Sequence, residues 1–305
     1  MNLLKDIKEH GGLLRILERR FVFVWANKFY VDDEKYLKRL FKLFIGDELN
    51  LDNPQTFNQK MQWLKLYAHK PIYTIMADKY AVKKYVANLV GEEYVVPCLG
   101  VWERAEDIDF DKLPNQFVLK CTHNSGLGRC ICKDKSQLDL KKVRKEIKRG
   151  LKENYYLPGR DKQYRDVPKK IIADQFLDDG KGTELRDYKW WCFDGKPTYM
   201  YYTNKGENIC ENFYDMDFNP VSIDHGFPRL QPEIEKPAEF ELMRDLATKL
   251  SKGIPFVRID FFDVNHHVYF GEFTFFDWGG LRCFGGNWDY ELGKLIVLPR
   301  KTGCK

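Results

Sequence analysis

Toward its C-terminal end the chain carries two strand-like runs, Phe256 to Val264 and Val268 to Phe276, parted only by the polar Asn265-His266-His267. So short a link permits little other than an antiparallel hairpin. In the simplest register Asp260 faces Glu272 and Arg258 faces Thr274 on the same side, while Ile259 opposes Phe273 on the other. A three-residue loop often adds a bulge, which would shift the pairing slightly. One face therefore belongs to a core, and the other carries two carboxylates at a Cβ separation of about 4.5–5.5 Å. Such a pair repels unless a proton or cation lies between its members. Magnesium fits this role, because proteins hold it beside nucleotides with one or two carboxylates, water and phosphates. Taken alone, the hairpin is equally well read as a surface element whose acids are salt-bridged to Arg258 or to nearby lysines. His266 and His267 read as exposed turn residues and not as ligands.

The rest of the chain supplies helices and strands in alternation. Residues 1–50 place Leu3, Leu4 and Ile7, then Leu13, Leu14 and Leu17, then Leu37, Leu40, Phe41 and Phe44 at helical spacing, an amphipathic N-terminal segment that packs on the body or lies on a membrane surface. Thr56 and Gln59 have the spacing of a capping box ahead of Met61, Leu64 and Leu66. Asp78 precedes a second helix, with Tyr80, Val82, Tyr85, Val86 and Leu89 apolar and Gly91 placed to end it. Strand composition follows at Tyr94 to Trp102, Gln116 to Lys120, Arg129 to Lys133, Lys170 to Leu177, Asp187 to Phe193 and Pro197 to Thr203. A helix is expected near Ala238 to Leu250. The fold class is α+β, with mixed or antiparallel sheets.

Charge and cysteine usage exclude several classes of function. A net +5 is too mild for a nucleic-acid binder. The positive charge is concentrated: between Lys133 and Lys170 there are fourteen basic and six acidic residues. There Val143, Ile147 and Leu151 form one apolar stripe on a helix whose outer face is basic, either a solvated face or a landing surface for an anionic substrate or leaflet. The longest apolar run, Phe21 to Ala26, is far short of the ~20 residues of a membrane span, and the Met1 end shows no signal-peptide pattern. Eight cysteines without CxxC spacing read as reduced, mostly buried thiols of a cytoplasmic protein. A soft-metal site at Cys121, Cys130 and Cys132 lacks a full ligand set.

Phe117-Val118-Leu119-Lys120 is an apolar strand ending in lysine, followed by Thr122-His123-Asn124-Ser125-Gly126-Leu127-Gly128 and a second strand that ends in Lys133. Glycines and small polar residues between two strands let backbone N–H groups approach an anion, as a flap over phosphates would. Ordinary hairpin turns need glycines as well, and GxxxxGK[ST] is absent, so this is not a P-loop. Lys189 lies inside the aromatic run Asp187 to Phe193 and needs an exposed face or an anionic partner.

The order of these pieces resembles that of ATP-grasp enzymes. More narrowly, Asn53-Pro54-Gln55-Thr56-Phe57-Asn58-Gln59-Lys60, Ala77-Asp78-Lys79-Tyr80-Ala81-Val82, Phe117 to Gly126, Asp187-Tyr188-Lys189 and Gly271-Glu272-Phe273-Thr274-Phe275 resemble the TupA-like subgroup, associated with teichuronopeptide and bacterial surface-polysaccharide biosynthesis. The resemblance runs from about Asn53 to Pro299. It implies two α+β subdomains clasping a nucleotide: a helical N-terminal segment (1–52), a helical or α+β region (53–115), a small subdomain with the flap (116–180) and a large subdomain with the metal-binding hairpin (181–305). Lys120 would contact the α and β phosphates. Ser125, Gly126 and Gly128 would form the flap, with Lys133 ending its second strand. Asp174 would accept from the adenine amino group where the family usually has glutamate, with Gln175 and the backbone near Leu177 at the adenine edge. Asp260 and Glu272 would carry magnesium, Arg258 would steady the transferred phosphoryl group, and Lys189 would lie near the nucleotide. Thr274 stands where the wider superfamily has asparagine, which bears on a second metal ion.

The implied activity is ATP-dependent ligation of a carboxylate to an amine through an acyl phosphate, joining an amino acid to a uronic-acid sugar of a capsule or other surface-polysaccharide precursor. The expected cofactors are ATP and Mg2+, and the expected location is cytoplasmic, with contact at the inner membrane surface. A kinase-like phosphotransferase, a glycosyltransferase of a polysaccharide cluster and a non-catalytic binding protein are the competing readings.

Overall fold

The chain is described from a computed structural model over residues 21–22, 32–179, 185–204 and 209–301. The expected apolar spacing at Leu3, Leu4, Ile7, Leu13, Leu14 and Leu17 falls outside these residues, as does Cys304. Among the described residues no helix is long and apolar enough to cross a membrane.

Among the described residues ten strands form two sheets, and every strand pairing there is antiparallel. In chain order they are β1 (Cys98–Trp102), β2 (Phe117–Cys121), β3 (Cys130–Cys132), β4 (Ile171–Gln175), β5 (Asp187–Phe193), β6 (Lys196–Asn204), β7 (Cys210–Tyr214), β8 (Pro220–Val221), β9 (Phe256–Val264) and β10 (His267–Thr274). The smaller sheet runs β1-β4-β2-β3 and the larger β10-β9-β5-β6-β7-β8. β1, which comes from the stretch assigned on sequence to the region before residue 116, pairs with β4 and so sits in the smaller sheet. The strand expected over Tyr94 to Trp102 begins only at Cys98, because Glu92–Tyr94 is a 3-10 turn.

The larger sheet is covered on both faces, which is why all seven residues of β5 are buried. Toward one face Trp190 and Cys192, with Val257, Ile259 and Phe261 of β9, pack against the Phe240–Ser251 helix through Phe240, Met243 and Leu246, and against Val82 and Val86 of the Ala81–Val90 helix. Toward the other, Trp191, Phe193, Tyr201, Phe213 and Phe256 meet the Asp33–Phe44 helix (Leu37, Leu40, Phe41) and the Phe57–Tyr67 helix (Phe57, Met61, Leu64). Each such side chain contributes about 1.5–3 kcal/mol of burial relative to exposure. The capping box is present in full, Thr56 accepting from the backbone of Gln59 and Gln59 reaching back. The smaller sheet buries Phe117, Leu119, Ile171 and Ala173 against Val143 and Ile147 of the basic Leu140–Leu151 helix.

Alternation along the strands then decides where polar groups go. Lys120 and Asp174 lie on the face of the smaller sheet opposite to its core. Lys189, Arg258 and Asp260 share the face of Trp191 and Phe256, at the end where the apolar cluster stops. A helix over Pro71–Ala77, strands β7 and β8, and a C-terminal helix over Trp288–Leu295 complete the fold.

Candidate active site

The hairpin closes more tightly than the three-residue loop expected from sequence. Val264 pairs with His267, leaving a two-residue turn in which Asn265 and His266 have φ of 52° and 65°. Left-handed geometry at both positions matches the twist of the flanking strands. A bulge at Gly271 then restores the register in which Glu272 faces Asp260, Phe273 faces Ile259 and Thr274 faces Arg258. A side chain at Gly271 would press on the Asp260 carbonyl, 3.0 Å from the position of its Cβ.

Across the sheet, Tyr201, Lys189, Asp260 and Glu272 stand side by side on β6, β5, β9 and β10. Asp260 is buried and Glu272 is exposed. The cation between them is Arg258. Its Nε donates to Asp260 Oδ1 at 2.7 Å, and its Nη2 donates to Asp260 Oδ2 at 2.8 Å and Glu272 Oε1 at 2.9 Å. Burial raises the Asp260 carboxyl to about 6, with Glu272 adding to the rise and Arg258 and Lys189 opposing it. Lys189 is buried, ion-paired to Asp187 at 2.6 Å and 5.7 Å from the centre of the Tyr201 ring. It lies beside Asp260 on the neighbouring strand and does not line the open cleft.

Asp277 was not foreseen. It follows β10 in Asp277–Gly280, a turn that no periodicity marks. Its Oδ1 accepts from Arg258 Nη1 at 2.6 Å, and its Oδ2 from Trp191 Nε1 at 2.8 Å and the Tyr201 hydroxyl at 3.1 Å. Although burial alone would raise its carboxyl, Arg258, His225 and the Trp191 hydrogen bond hold it below the usual carboxylate range. Arg258 is thereby fixed from three sides by acids.

Facing this hairpin across a cleft of about 400 Å³ is the polar side of the smaller sheet. Lys120, Asp174, Ser125 and Gly126 line the cleft together with Asp260 and Glu272. Asp174 is buried, and its two carboxylate oxygens are ion-paired to Lys83 at 2.9 Å and Lys120 at 3.1 Å. Lys79, also unforeseen as a site residue, lines the same cleft and donates to the carbonyl of Asn124 at the base of the glycine loop. Burial pulls its ammonium below the usual range, an effect Glu272 opposes. Its only sequence signal was its place in Ala77-Asp78-Lys79, where Asp78 accepts from the Tyr80 backbone at 2.8 Å in the turn ahead of the next helix.

The remaining expected residues lie elsewhere. Lys133 is exposed, because antiparallel pairing brings the end of β3 beside Gln116 at the start of β2, away from Lys120. Gln175 is exposed and Leu177 lies beyond the end of β4, so neither lines the cleft. Gly128 is a clamp at the foot of the flap. A Cβ on it would come within 2.6 Å of Cys121 Sγ and 2.8 Å of Gly150 Cα, whereas one on Gly126 would meet nothing. Asn124 is tied to Glu153 at 2.7 Å, which leaves Ser125, Gly126 and Leu127 as the span between two anchors.

Among the described residues no group of three or more His, Cys, Asp and Glu that could hold a metal ion comes together. Of the seven described cysteines three are buried and two exposed, so burial is less general than the sequence suggested.

The sequence profile described as TupA-like ATPgrasp matches residues 59–297. No curated protein matches the chain in sequence. Among solved structures, D-alanine–D-alanine ligase from Bacillus anthracis complexed with ATP is 17% identical, with a TM-score of 0.40, over 66% of this chain and 53% of that one. The Helicobacter pylori D-alanine–D-alanine ligase is 13% identical, with a TM-score of 0.44, over 79% and 69%. D-alanyl-alanine synthetase A from Vibrio cholerae is 10% identical, with a TM-score of 0.40, over 71% and 57%. The chain thus spans about half the length of the Bacillus anthracis protein that it matches.

Proposed function

The chain belongs to the TupA-like ATP-grasp family, and from that membership we propose that it is an ATP-dependent ligase, joining a carboxylate to an amine through an acyl phosphate. One observation carries the reading beyond family membership. Asp260 and Glu272, paired on neighbouring strands with Arg258 between them, face Lys79 and Lys120 across a cleft of about 400 Å³ under a glycine loop.

Two carboxylates on neighbouring strands are donors of the kind a divalent ion takes, and Arg258 holds the place between them in this structure. Asp260 is a buried anion whose charge is disfavoured by its surroundings, and Glu272 is an exposed carboxylate directly opposite. Magnesium held by these two would neutralise charge on the triphosphate and on the phosphoryl group in transfer. Lys120 and Lys79 hold the α and β phosphates. Arg258, kept in place by Asp277, meets the charge that develops on the γ-phosphoryl group. The backbone of Ser125 and Gly126 closes over the phosphates and keeps water from the acyl phosphate. We assign Asp174 to orienting Lys83 and Lys120 in place of an adenine contact, since both its oxygens already pair with lysines. Adenine then lies against Val82, Val95, Val96 and Phe270, where Val95 bridges Phe270 and Lys83 donates to the Val96 carbonyl at 2.7 Å. Lys189 acts through Asp260 as a positioning residue.

We further assign as substrates an amino acid and a uronic-acid saccharide of a bacterial surface-polysaccharide or capsule precursor, handled at the cytoplasmic side of the inner membrane. ATP with Mg2+ at a hundredfold excess over the dissociation constant should stabilise the protein by about 2.7 kcal/mol. ADP release should require both a uronic acid and an amine, and hydroxylamine should trap the activated carboxylate as a hydroxamate. ADP release onto hydroxyl acceptors without hydroxamate would identify a phosphotransferase. Sugar-nucleotide turnover without ATP would identify a glycosyltransferase.

A further inference from the structure

The cleft continues past Glu272. A second cavity of about 470 Å³ opens beyond it, and Ser125, Tyr164 and Glu272 line both spaces. Arg258 stands at the junction, and Trp278 lines the second cavity. Phosphoryl transfer alone gives no reason for Trp278 to be held as it is. It is 49% exposed, and its backbone has φ 49° and ψ 26°, a left-handed conformation that a bulky residue keeps only where its surroundings impose it.

The surroundings do impose it. Lys65 and Gln62, both fully buried, donate to the Gly279 carbonyl at 2.8 and 3.0 Å, and Gln62 also donates to the Gly280 carbonyl at 2.7 Å. The Arg282 guanidinium lies over the indole, 4.6 Å from the ring centroid, and Arg282 is itself anchored to the His225 carbonyl at 2.7 Å. Phe227 packs against the same indole at 5.6 Å. An exposed aromatic plane is thus held rigid beside the place where the activated carboxylate would form.

We propose that Trp278 is a stacking platform for the ring of a saccharide carboxylate, the ring lying on the indole and the acid group reaching toward Arg258. This assignment rests on the ligase reading and deepens it. The cation that an indole attracts is already supplied by Arg282, so the open part of the ring suits a neutral partner, such as the flat C–H face of a pyranose. Tyr155, Tyr164 and Gln163, which line the same cavity, provide hydroxyl and amide groups for sugar hydroxyls. A simple aliphatic or aromatic acid would leave these groups unmatched.

The test uses the full chain with glucuronic and galacturonic acids as probes, and succinic and benzoic acids as comparators. Saturation-transfer NMR in the presence of a non-hydrolysable ATP analogue should show binding of the uronic acids that weakens about tenfold in Trp278→Ala and Trp278→Leu and is largely kept in Trp278→Phe. In ADP-release assays the KM for the uronic acid should rise by a similar factor while the KM for ATP holds, which also shows that the variants fold. Unchanged uronic-acid affinity in both Ala and Leu variants, or equal use of succinic or benzoic acid, would overturn the platform while leaving a ligase in place. Trp278-dependent sugar binding without ATP-dependent amide formation would leave the platform standing and remove the ligase.

Discussion

Asp277 makes three hydrogen bonds inside the protein, to Arg258, Trp191 and Tyr201, and each ties a different strand of the larger sheet to the turn after β10. Removing its charge would leave Arg258 Nη1 without its carboxylate while Asp260 and Glu272 still hold the rest of the guanidinium, a partial loss that costs about 1–3 kcal/mol. Asp277→Asn should therefore lower stability in urea melts by that order and reduce kcat for ADP release with a smaller change in the KM for ATP, because the lysines across the cleft are untouched. Equal loss in both kinetic constants would mean that Asp277 serves nucleotide binding. His123, at the base of the glycine loop, carries a second residue-scale consequence. Burial, helped by Lys169, depresses its imidazole from 6.5 to about 4, and its Nε2 lies 3.2 Å from the Glu153 carbonyl. The unfolded chain takes up this proton near pH 6.5 and the folded one near 4, so stability is full above pH 6.5 and is lost as the pH falls toward 4. The loss is on the order of 3 kcal/mol. Melts of His123→Gln across that window should show a flatter pH dependence than the parent, and identical slopes would refute the assignment. Asp277 and Lys79 left almost no trace in the sequence. Each occupies a turn, where neither helical nor strand periodicity singles a position out, and each becomes meaningful only once a distant strand is laid beside it.

The glycine loop behaves as an element with two fixed ends, and its glycines differ accordingly. Gly126 and Gly128 both have positive φ, 90° and 67°, so alanine at either is strained by about 1–3 kcal/mol. At Gly128 the added methyl also meets Cys121 and the backbone of Gly150 on the basic helix, an overpacking cost of typically about 1–3 kcal/mol more. Gly128→Ala should therefore be clearly the more destabilising in denaturant titrations, while Gly126→Ala should act mainly on nucleotide affinity and turnover. The reverse order would show that the loop is not anchored at its foot. Which elements could be foreseen follows the same logic. The β9–β10 hairpin, the Thr56 capping box and the extent of strand β5 were legible because local alternation, a side-chain cap and a run of aromatics each announce themselves within ten residues. β7 and β8 and the Pro71–Ala77 helix were not, because these short elements are held by tertiary contacts more than by pattern. Lys133 was misplaced for a related reason: the sequence marks a lysine at the end of β3 but not that antiparallel pairing carries that end away from Lys120.

At the scale of the whole molecule, the polar face of the smaller sheet meets across one cleft the polar end of the larger sheet, whose two faces are otherwise covered by separate apolar clusters. The joining of β1 to β4 means that chain from before residue 116 completes the smaller sheet, so truncation at that boundary would strip its edge strand. The basic helix covers this sheet from the far side. Val143 and Ile147 are buried against it, while Lys141, Lys142 and Lys145 remain exposed. A monomeric uronic acid bound at the cleft would make no contact with that outer face, but a polyanionic chain extending from the site would be drawn to it by a field that salt screens over about 10 Å at 0.1 M. The double variant Lys141→Glu, Lys145→Glu changes four units of charge there without touching the apolar stripe. Its KM for a polymeric uronic-acid acceptor should rise by roughly tenfold at low salt and converge on the parent value as salt increases. The KM values for ATP and for the monomer should stay the same. If polymer and monomer responded alike, the helix would be a solvated cover and the clustering of charge between Lys133 and Lys170 would have no part in substrate choice.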